Sequence, residues 1–290
     1  MYSARVLADS VSRPGGVRLT TLEVTFPRIV LSEFNTHRVF SRNSASSRAI
    51  PIEKQIERVR ENPFVPAVFE ENKKGMQGGE PLVEGAQAEA RAIWALGMQR
   101  AIDTAEMLAD TGVHKQWANR MLEPFMWQTV IVTSTEWDNF FTLRLAKEAQ
   151  PEIRQIAEYM KQAMDESYPA EKAPYEWHLP LIDESDIDEV EENYEEYAFL
   201  EKHTNPSHLL RLVSAGRCAR VSYLTHDGKR DLSADILLAQ RLIVDGHMSP
   251  LEHVATPQSY PDRFSGNFRG WRQFRKQFEE TNVINLHRKK

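Results

Sequence analysis

The 290-residue chain has a single cysteine, Cys218. This excludes internal disulfides and any cysteine-based zinc site, and it suits a reducing cytosol. No apolar run approaches the ~18 residues that a membrane span needs, and Met1-Tyr2-Ser3-Ala4-Arg5 opens no signal-peptide pattern. A cytoplasmic protein without a membrane partner is the expectation. No G-x-x-x-x-G-K-[ST] loop occurs, no G-x-G-x-x-G opens a helix, and the nine histidines include no H-E-x-x-H pair. Nucleotide-loop and zinc-hydrolase chemistry are thereby left without a motif, and no metal is expected. Excess positive charge is lacking too. A net charge of -6 argues against a protein that coats nucleic acid over its whole surface, while a local basic pocket for a small anion is compatible with it. The rest is ordinary: 41% apolar and 27% charged residues, enough for one large domain or two small ones.

One stretch lacks carboxylates altogether. Thr36-His37-Arg38-Val39-Phe40-Ser41-Arg42-Asn43-Ser44-Ala45-Ser46-Ser47-Arg48 holds three arginines, four serines, an asparagine and a histidine. It offers only positive charge and neutral hydrogen-bonding groups, and guanidinium forks match phosphate or carboxylate oxygens. Composition alone also fits a solvated loop or a phosphorylation target.

Along the chain, near-alternating apolar residues predict a strand over residues 17–26, with a parity slip at Thr20-Thr21. Pro27 opens a short helix, and the carboxylate-free stretch follows at a helix end and the loop beyond. Residues 50–82 read as an ordered surface loop or, alternatively, a lid. A long helix is predicted from Leu82 to Ala109, with Trp94 and Met98 in the core. Val130–Thr135 reads as a strand, followed by a helix carrying Trp137, Phe140, Phe141 and Leu143. Another helix spans Ala146 to Met164, where Pro151 predicts a break or a fresh start near Gln150. Nine of the fourteen residues from Asp183 to Glu196 are acidic, which predicts a solvated connection at about 183–200. Asn205–Gly216 reads as a helix ended by Gly216; the next is capped by Asp231 or Ser233 and ends at Gly246. Phe264, Phe268, Trp271, Phe274 and Phe278 interleave with arginines at helical spacing, a core-packing face or a surface that stacks bases.

The spacing His37-Arg38-x-x-Ser41-x-Asn43-x-x-Ser46-x-Arg48 resembles the signature of the flavin-dependent thymidylate synthases, Arg-His-Arg-x-x-Ser-x-Asn-Glu-x-Ser-x-Arg-Tyr. Thr36, Ser44 and Ala49 depart from it. Asn139-Phe140-Phe141-Thr142-Leu143-Arg144 with Ala149-Gln150-Pro151-Glu152-Ile153 is similar to a second block of that family, although Thr133 and Thr135 stand where it has Asn-x-Arg. Arg120 resembles the arginine of an Ala-Arg-x-x-Leu-Pro block, interrupted here by Asn119 and Glu123. Cys218-Ala219-Arg220-Val221-Ser222-Tyr223 and Gly246-His247-Met248-Ser249-Pro250-Leu251-Glu252-His253 resemble blocks that the family carries ahead of its signature. Here they follow it by about two hundred residues, the order of a circular permutation, which close surface termini tolerate.

The resemblance implies an α/β (α+β) fold, a central, mostly antiparallel sheet flanked by long helices in one domain over 1–290. The signature part would be 1–180, the acidic connection about 183–200, and the relocated block 201–290. It implies reductive methylation of dUMP at C5, with methylenetetrahydrofolate as carbon donor, FAD as cofactor and NADPH as reductant, in a homotetramer whose sites lie between subunits. His37, Arg38, Asn43, Asn139, Ser222, His247 and Ser249 would bind the flavin. Ser46, Arg48, Arg120 and Arg144 would hold the nucleotide, with Arg48 and Arg144 stabilising charge on the ring. Arg272, Gln273 or Arg275 would fold back to do for phosphate or base what Thr36, in place of an arginine, cannot. Two alternatives stand beside this reading. One is methyl or hydroxymethyl transfer to another pyrimidine nucleotide such as dCMP; the other is a nucleic-acid-binding module.

Overall fold

Both faces of the strand Arg18–Pro27 are covered, which explains why its pattern does not alternate cleanly. Side chains alternate across a strand. Leu22, Val24 and Phe26 enter a core with Phe34, Val130, Val132, Phe140, Ile153 and Ile156. Leu19, on the other face, packs with Val17, Ala255, Phe268 and Trp271. The computed structural model describes residues 1–13, 15–199, 205–226, 228 and 230–280. The expected connection and relocated block therefore lie partly outside the described residues.

The strands are β1 (Ser3–Ser12), β2 (Arg18–Pro27), β3 (Ser41–Ser44), β4 (Trp127–Ser134) and β5 (Ala170–Lys172). Their spatial order is β3-β4-β2-β1-β5. The pairs β1–β2, β2–β4 and β3–β4 are antiparallel and β1–β5 is parallel, so the expected mostly antiparallel central sheet is present. Sequence reading missed β1. The parity slip expected at Thr20-Thr21 resides on that partner strand: the register jumps from Val6↔Leu22 to Ala8↔Thr21, leaving Leu7 extra, as in a β-bulge.

The helices are α1 (Leu31–Asn35), α2 (Ile52–Glu61), α3 (Glu84–Asp110), α4 (Lys115–Ala118), α5 (Asp138–Arg144), α6 (Pro151–Asp165), α7 (Glu184–Glu192), α8 (Tyr194–Ala198), α9 (Pro206–Arg220), α10 (Leu232–Val244) and α11 (Arg275–Glu280). Helix α2 corrects the expected loop at 50–82: Ile52, Gln55, Ile56 and Val59 recur at helical spacing and are buried, against α3 and the segment around Leu122 and Phe125. The acidic segment is not merely solvated, because Asp186 and Val190 of α7 are buried.

Gly216 does not end α9, which runs on to Arg220. A Cβ there would lie 2.3 Å from the Asp235 carbonyl oxygen of α10, so this glycine marks a close helix–helix approach. Gly216→Ala should destabilise the protein by about 1–3 kcal/mol, the usual cost of overpacking; an unchanged urea midpoint would show that the two helices part freely. The aromatic C-terminus is likewise not one helix. It forms β6 (Ala255–Pro257), β7 (Phe264–Ser265), β8 (Phe268–Arg269) and β9 (Trp271–Gln273) before α11, with β6 paired to β9 and β7 to β8. Gly266 and Gly270, at φ +63° and +71°, supply turns that a continuous helix would not permit. Phe268, Trp271 and Phe274 are fully buried, so these rings pack the core and cannot stack bases.

Candidate functional site

The carboxylate-free stretch starts where α1 runs out. Thr36 Oγ1 donates to the Glu33 carbonyl (2.6 Å), and the chain turns through Thr36–Phe40 into β3 at the sheet edge. Part of the signature is thus a strand rather than the expected loop, so alternate residues face opposite ways. Ser41 and Asn43 face the C-terminal region. Arg42 faces the side of Phe34, whose carbonyl accepts from its Nη1 at 3.4 Å.

On that second side His37 is buried between aromatic rings, 4.9 Å from Phe140 and 5.7 Å from Phe40 between centroids. Arg144, at the end of α5, donates from Nε to His37 Nε2 (2.9 Å), which fixes the His37 proton on Nδ1. Arg144 Nη2 reaches Thr36 Oγ1 (3.2 Å) and the Glu33 carbonyl (3.3 Å). Burial, with Arg144 and Arg42 adding repulsion, lowers the His37 pKa to about 4, so the ring is neutral at pH 7. Beside it lies a cavity of about 440 Å³ lined by Thr36, His37, Arg38, Val39, Glu136, Asp138, Asn139 and Leu143. The structure therefore brings His37, Arg38, Asn139 and Arg144 together from two sequence blocks.

On the first side the C-terminal region meets the signature residue by residue. Ser41 Oγ donates to Glu252 Oε2 (2.7 Å) and lies 3.2 Å from Gln273 Nε2. Asn267 Nδ2 donates to the Val39 carbonyl (2.8 Å). The Ser46 N–H donates to the Ser222 carbonyl (3.0 Å), and Asn43 meets His253 and the Ser249 carbonyl. Gln273 does reach the signature. Arg275 does so only through Glu252, with which it is paired. Arg272 sits half-buried on β9 opposite Thr256.

Other expected residues stand apart. Arg48 is exposed, with its N–H on Ser46 Oγ at 3.3 Å. His247 is exposed just beyond Gly246; Ser249, also exposed, does meet the signature, through its backbone carbonyl at Asn43. Arg120 pairs with Glu123 (3.1 Å); among the described residues none of its hydrogen bonds goes to the signature. Its neighbour Asn119, which interrupts the family pattern, is fully buried and donates to the Ser47 and Ile50 carbonyls at 2.6 and 2.9 Å. That buried amide anchors the end of the signature, a role sequence reasoning missed. The two threonines that replace Asn-x-Arg also serve the C-terminal contact: Thr133 Oγ1 bonds His253 Nδ1 (2.7 Å), and Thr135 Oγ1 accepts from the Arg269 N–H (3.0 Å).

A sheet whose edge strand carries this signature, with cationic groups gathered beside a neutral histidine, defines a thymidylate synthase-like methyltransferase of the flavin-dependent class. The chain belongs to the family described as thymidylate synthase complementing protein, which matches residues 5–170. Residues 171–290, including the blocks at 218–253, lie outside the matched range. No curated protein matches significantly. Among solved structures, a UMP/dUMP methylase PolB from Streptomyces cacaoi, bound with 5-Br UMP, has 17% identity. It covers 57% of this chain and 88% of its own at a TM-score of 0.46. Thymidylate synthase X from Helicobacter pylori, with FAD and dUMP, also has 17% identity, covering 50% of this chain and 67% of its own at a TM-score of 0.37. The family match, rather than these likenesses, carries the assignment. Among the described residues no helix is long and apolar enough to cross a membrane.

Proposed function

We propose that the protein methylates dUMP at C5, taking the carbon from methylenetetrahydrofolate and reducing equivalents from NADPH through FAD. The observation that carries this reading is the grouping of Arg38, Arg42 and Arg144 around neutral His37, with Asn139 on the wall of the same cavity. Neutral histidine, amide and guanidinium donors fit the anionic and imide groups of a nucleotide or flavin. A cavity of about 440 Å³ has room for one ring system, not for a whole dinucleotide. The exposed Arg38, Arg48, Asn139, His247 and Ser249 support a site completed by further copies of the chain, as in a homotetramer. Bound flavin would supply the hydride chemistry. Arg144 would hold the nucleotide and stabilise negative charge developing on the pyrimidine carbonyls. His37, holding Arg144 Nε, would fix the direction of that guanidinium. Arg48 would serve the phosphate and Ser46 the base, with Asn43, Ser222 and Ser249 toward the flavin.

Reconstitution with FAD should give a yellow protein absorbing near ~450 nm, and tritium should leave C5-labelled dUMP on turnover. Release from labelled dCMP instead would transfer the reading to the cytosine nucleotide. A protein that takes up no flavin would overturn it. Arg144→Gln removes the charge while keeping an amide donor, and should lower kcat/KM by about 10²–10³-fold, the range for loss of one charge-stabilising donor. Uptake of flavin should persist.

A further inference from the structure

One stripe of side chains crosses the sheet beneath the signature with no gap. Ser10 of β1 lies 2.9 Å from His178 Nδ1, and His178 Nε2 lies 2.8 Å from Thr21 Oγ1 of β2. Thr21 and Thr133, paired across β2 and β4, are 2.7 Å apart, and Thr133 is 2.7 Å from His253 Nδ1. His253 Nε2 closes on the Asn43 amide of β3 at 3.1 Å. All these residues but the half-buried Asn43 are buried, so no bulk water interrupts the series.

Each hydroxyl has one proton and each neutral imidazole has one, so the series is satisfied in only two ways, every bond pointing one way or every bond reversed. Both histidines are neutral, burial holding each pKa down to about 3. The amide of Asn43 selects between the two directions. Its inner edge faces the Ser249 carbonyl (3.3 Å) and the Arg42 carbonyl (3.2 Å) as well as His253. Oδ1 placed there would oppose two carbonyl oxygens, whereas Nδ2 donates to acceptors only. With Nδ2 inward, His253 must accept at Nε2 and donate from Nδ1 to Thr133. Thr133 then donates to Thr21, Thr21 to His178 Nε2, and His178 Nδ1 to Ser10.

We infer that Ser10, His178, Thr21, Thr133 and His253 are positioning residues forming a one-directional relay that locks the Asn43 amide and sets its Oδ1 as the acceptor a ligand meets. An acceptor at that position suits the imide N–H of the isoalloxazine ring, the group toward which the proposed function turns Asn43. A site that hydrogen-bonds one such group rejects the analogue presenting the opposite polarity. The inference thus deepens the flavin reading and, for its ligand, rests on it.

The test combines tautomers with binding in the full-length protein. Nitrogen-15 histidine spectra, assigned with His178→Gln and His253→Gln, should show both rings neutral with the proton on Nδ1. A proton on Nε2 of His253 would overturn the relay direction. Thr21→Val breaks the series at its centre without touching Asn43. It should add an Nε2–H population at His253 and weaken FAD binding about tenfold, with Thr21→Ser restoring both. Wild-type tautomer and FAD affinity in Thr21→Val would sink the relay. Nδ1–H tautomers with no uptake of FAD would overturn the flavin reading while leaving the relay intact.

Discussion

Replacing Arg217 with Ala should destabilise the protein by about 3–5 kcal/mol, the largest single-residue effect expected in the C-terminal region. Arg217 is buried on α9 between two buried carboxylates. It grips Asp186 of α7 through Nη1 and Nη2 at 2.6 and 2.7 Å, and its Nε meets Asp235 of α10 at 3.0 Å. A further Nη1 bond reaches the Leu181 carbonyl at 2.7 Å. Arg220 and Arg230 complete the group at Asp235 and Asp186, at 2.5 and 2.8 Å. Removing Arg217 leaves two carboxylates short of their principal partner in a low-dielectric site, which costs more than the pair contributes over an apolar replacement. Arg217→Met together with Asp186→Leu should therefore recover part of the loss. Urea denaturation of both variants checks this; an Arg217→Ala loss below about 1 kcal/mol would mean that water reaches the carboxylates.

Acidification from pH 7 to pH 5 should remove about 4 kcal/mol of stability through His178 and His253 alone. Their folded pKa values, about 3, lie well below the ordinary 6.5. Below pH 6.5 the unfolded chain binds protons that the folded chain refuses. The contribution is therefore complete above pH 6.5 and is lost as pH falls toward the folded values, by about 2 kcal/mol per ring at pH 5. His37 and His208, both lowered to about 4 chiefly by burial, act in the same direction. Glu23 does not add to this window. Burial raises its carboxyl, but hydrogen bonds from His226 and Arg5 bring it down to about 2, so its contribution is lost only below the ordinary carboxylate range. Urea midpoints at the two pH values provide the measurement, and His253→Gln should flatten the dependence. A profile level between pH 7 and pH 5 would contradict the burial of these rings.

The signature was legible because its residues are fixed by chemistry at fixed spacings, and the helices at 84–110 and 151–165 because their apolar periods are long. Elsewhere the pattern misled for physical reasons. Strand β2 is covered on both faces, so Thr20 and Thr21 looked like a slip although both are buried. Strand β1, Ser-Ala-Arg-Val-Leu-Ala-Asp-Ser-Val-Ser, mixes small and charged residues because its charges pair across the sheet, Arg5 with Glu23 and Asp9 with Arg18. Helix α2 hid behind neighbouring prolines. At 264–278 the aromatic spacing reflected three short strands, the turns between them and the start of α11, so its core role was readable and its geometry was not. Asn119, Thr133 and Thr135 looked like defects in a family pattern; each is a ligand for another part of the same chain.

The face of β2 and β4 that receives the C-terminal region carries Thr21, Glu23, Thr25, Thr129 and Thr133, with Leu19 and Ile131 as its larger apolar members. During synthesis residues 1–180 leave the ribosome first, and at ~5–20 residues per second the remainder follows several seconds later. For that interval the uncovered face can be hydrated, since hydroxyls and a carboxylate accept water where an oily surface would seek another chain. The nascent sheet thus presents a face of mostly polar side chains until its partner segment arrives.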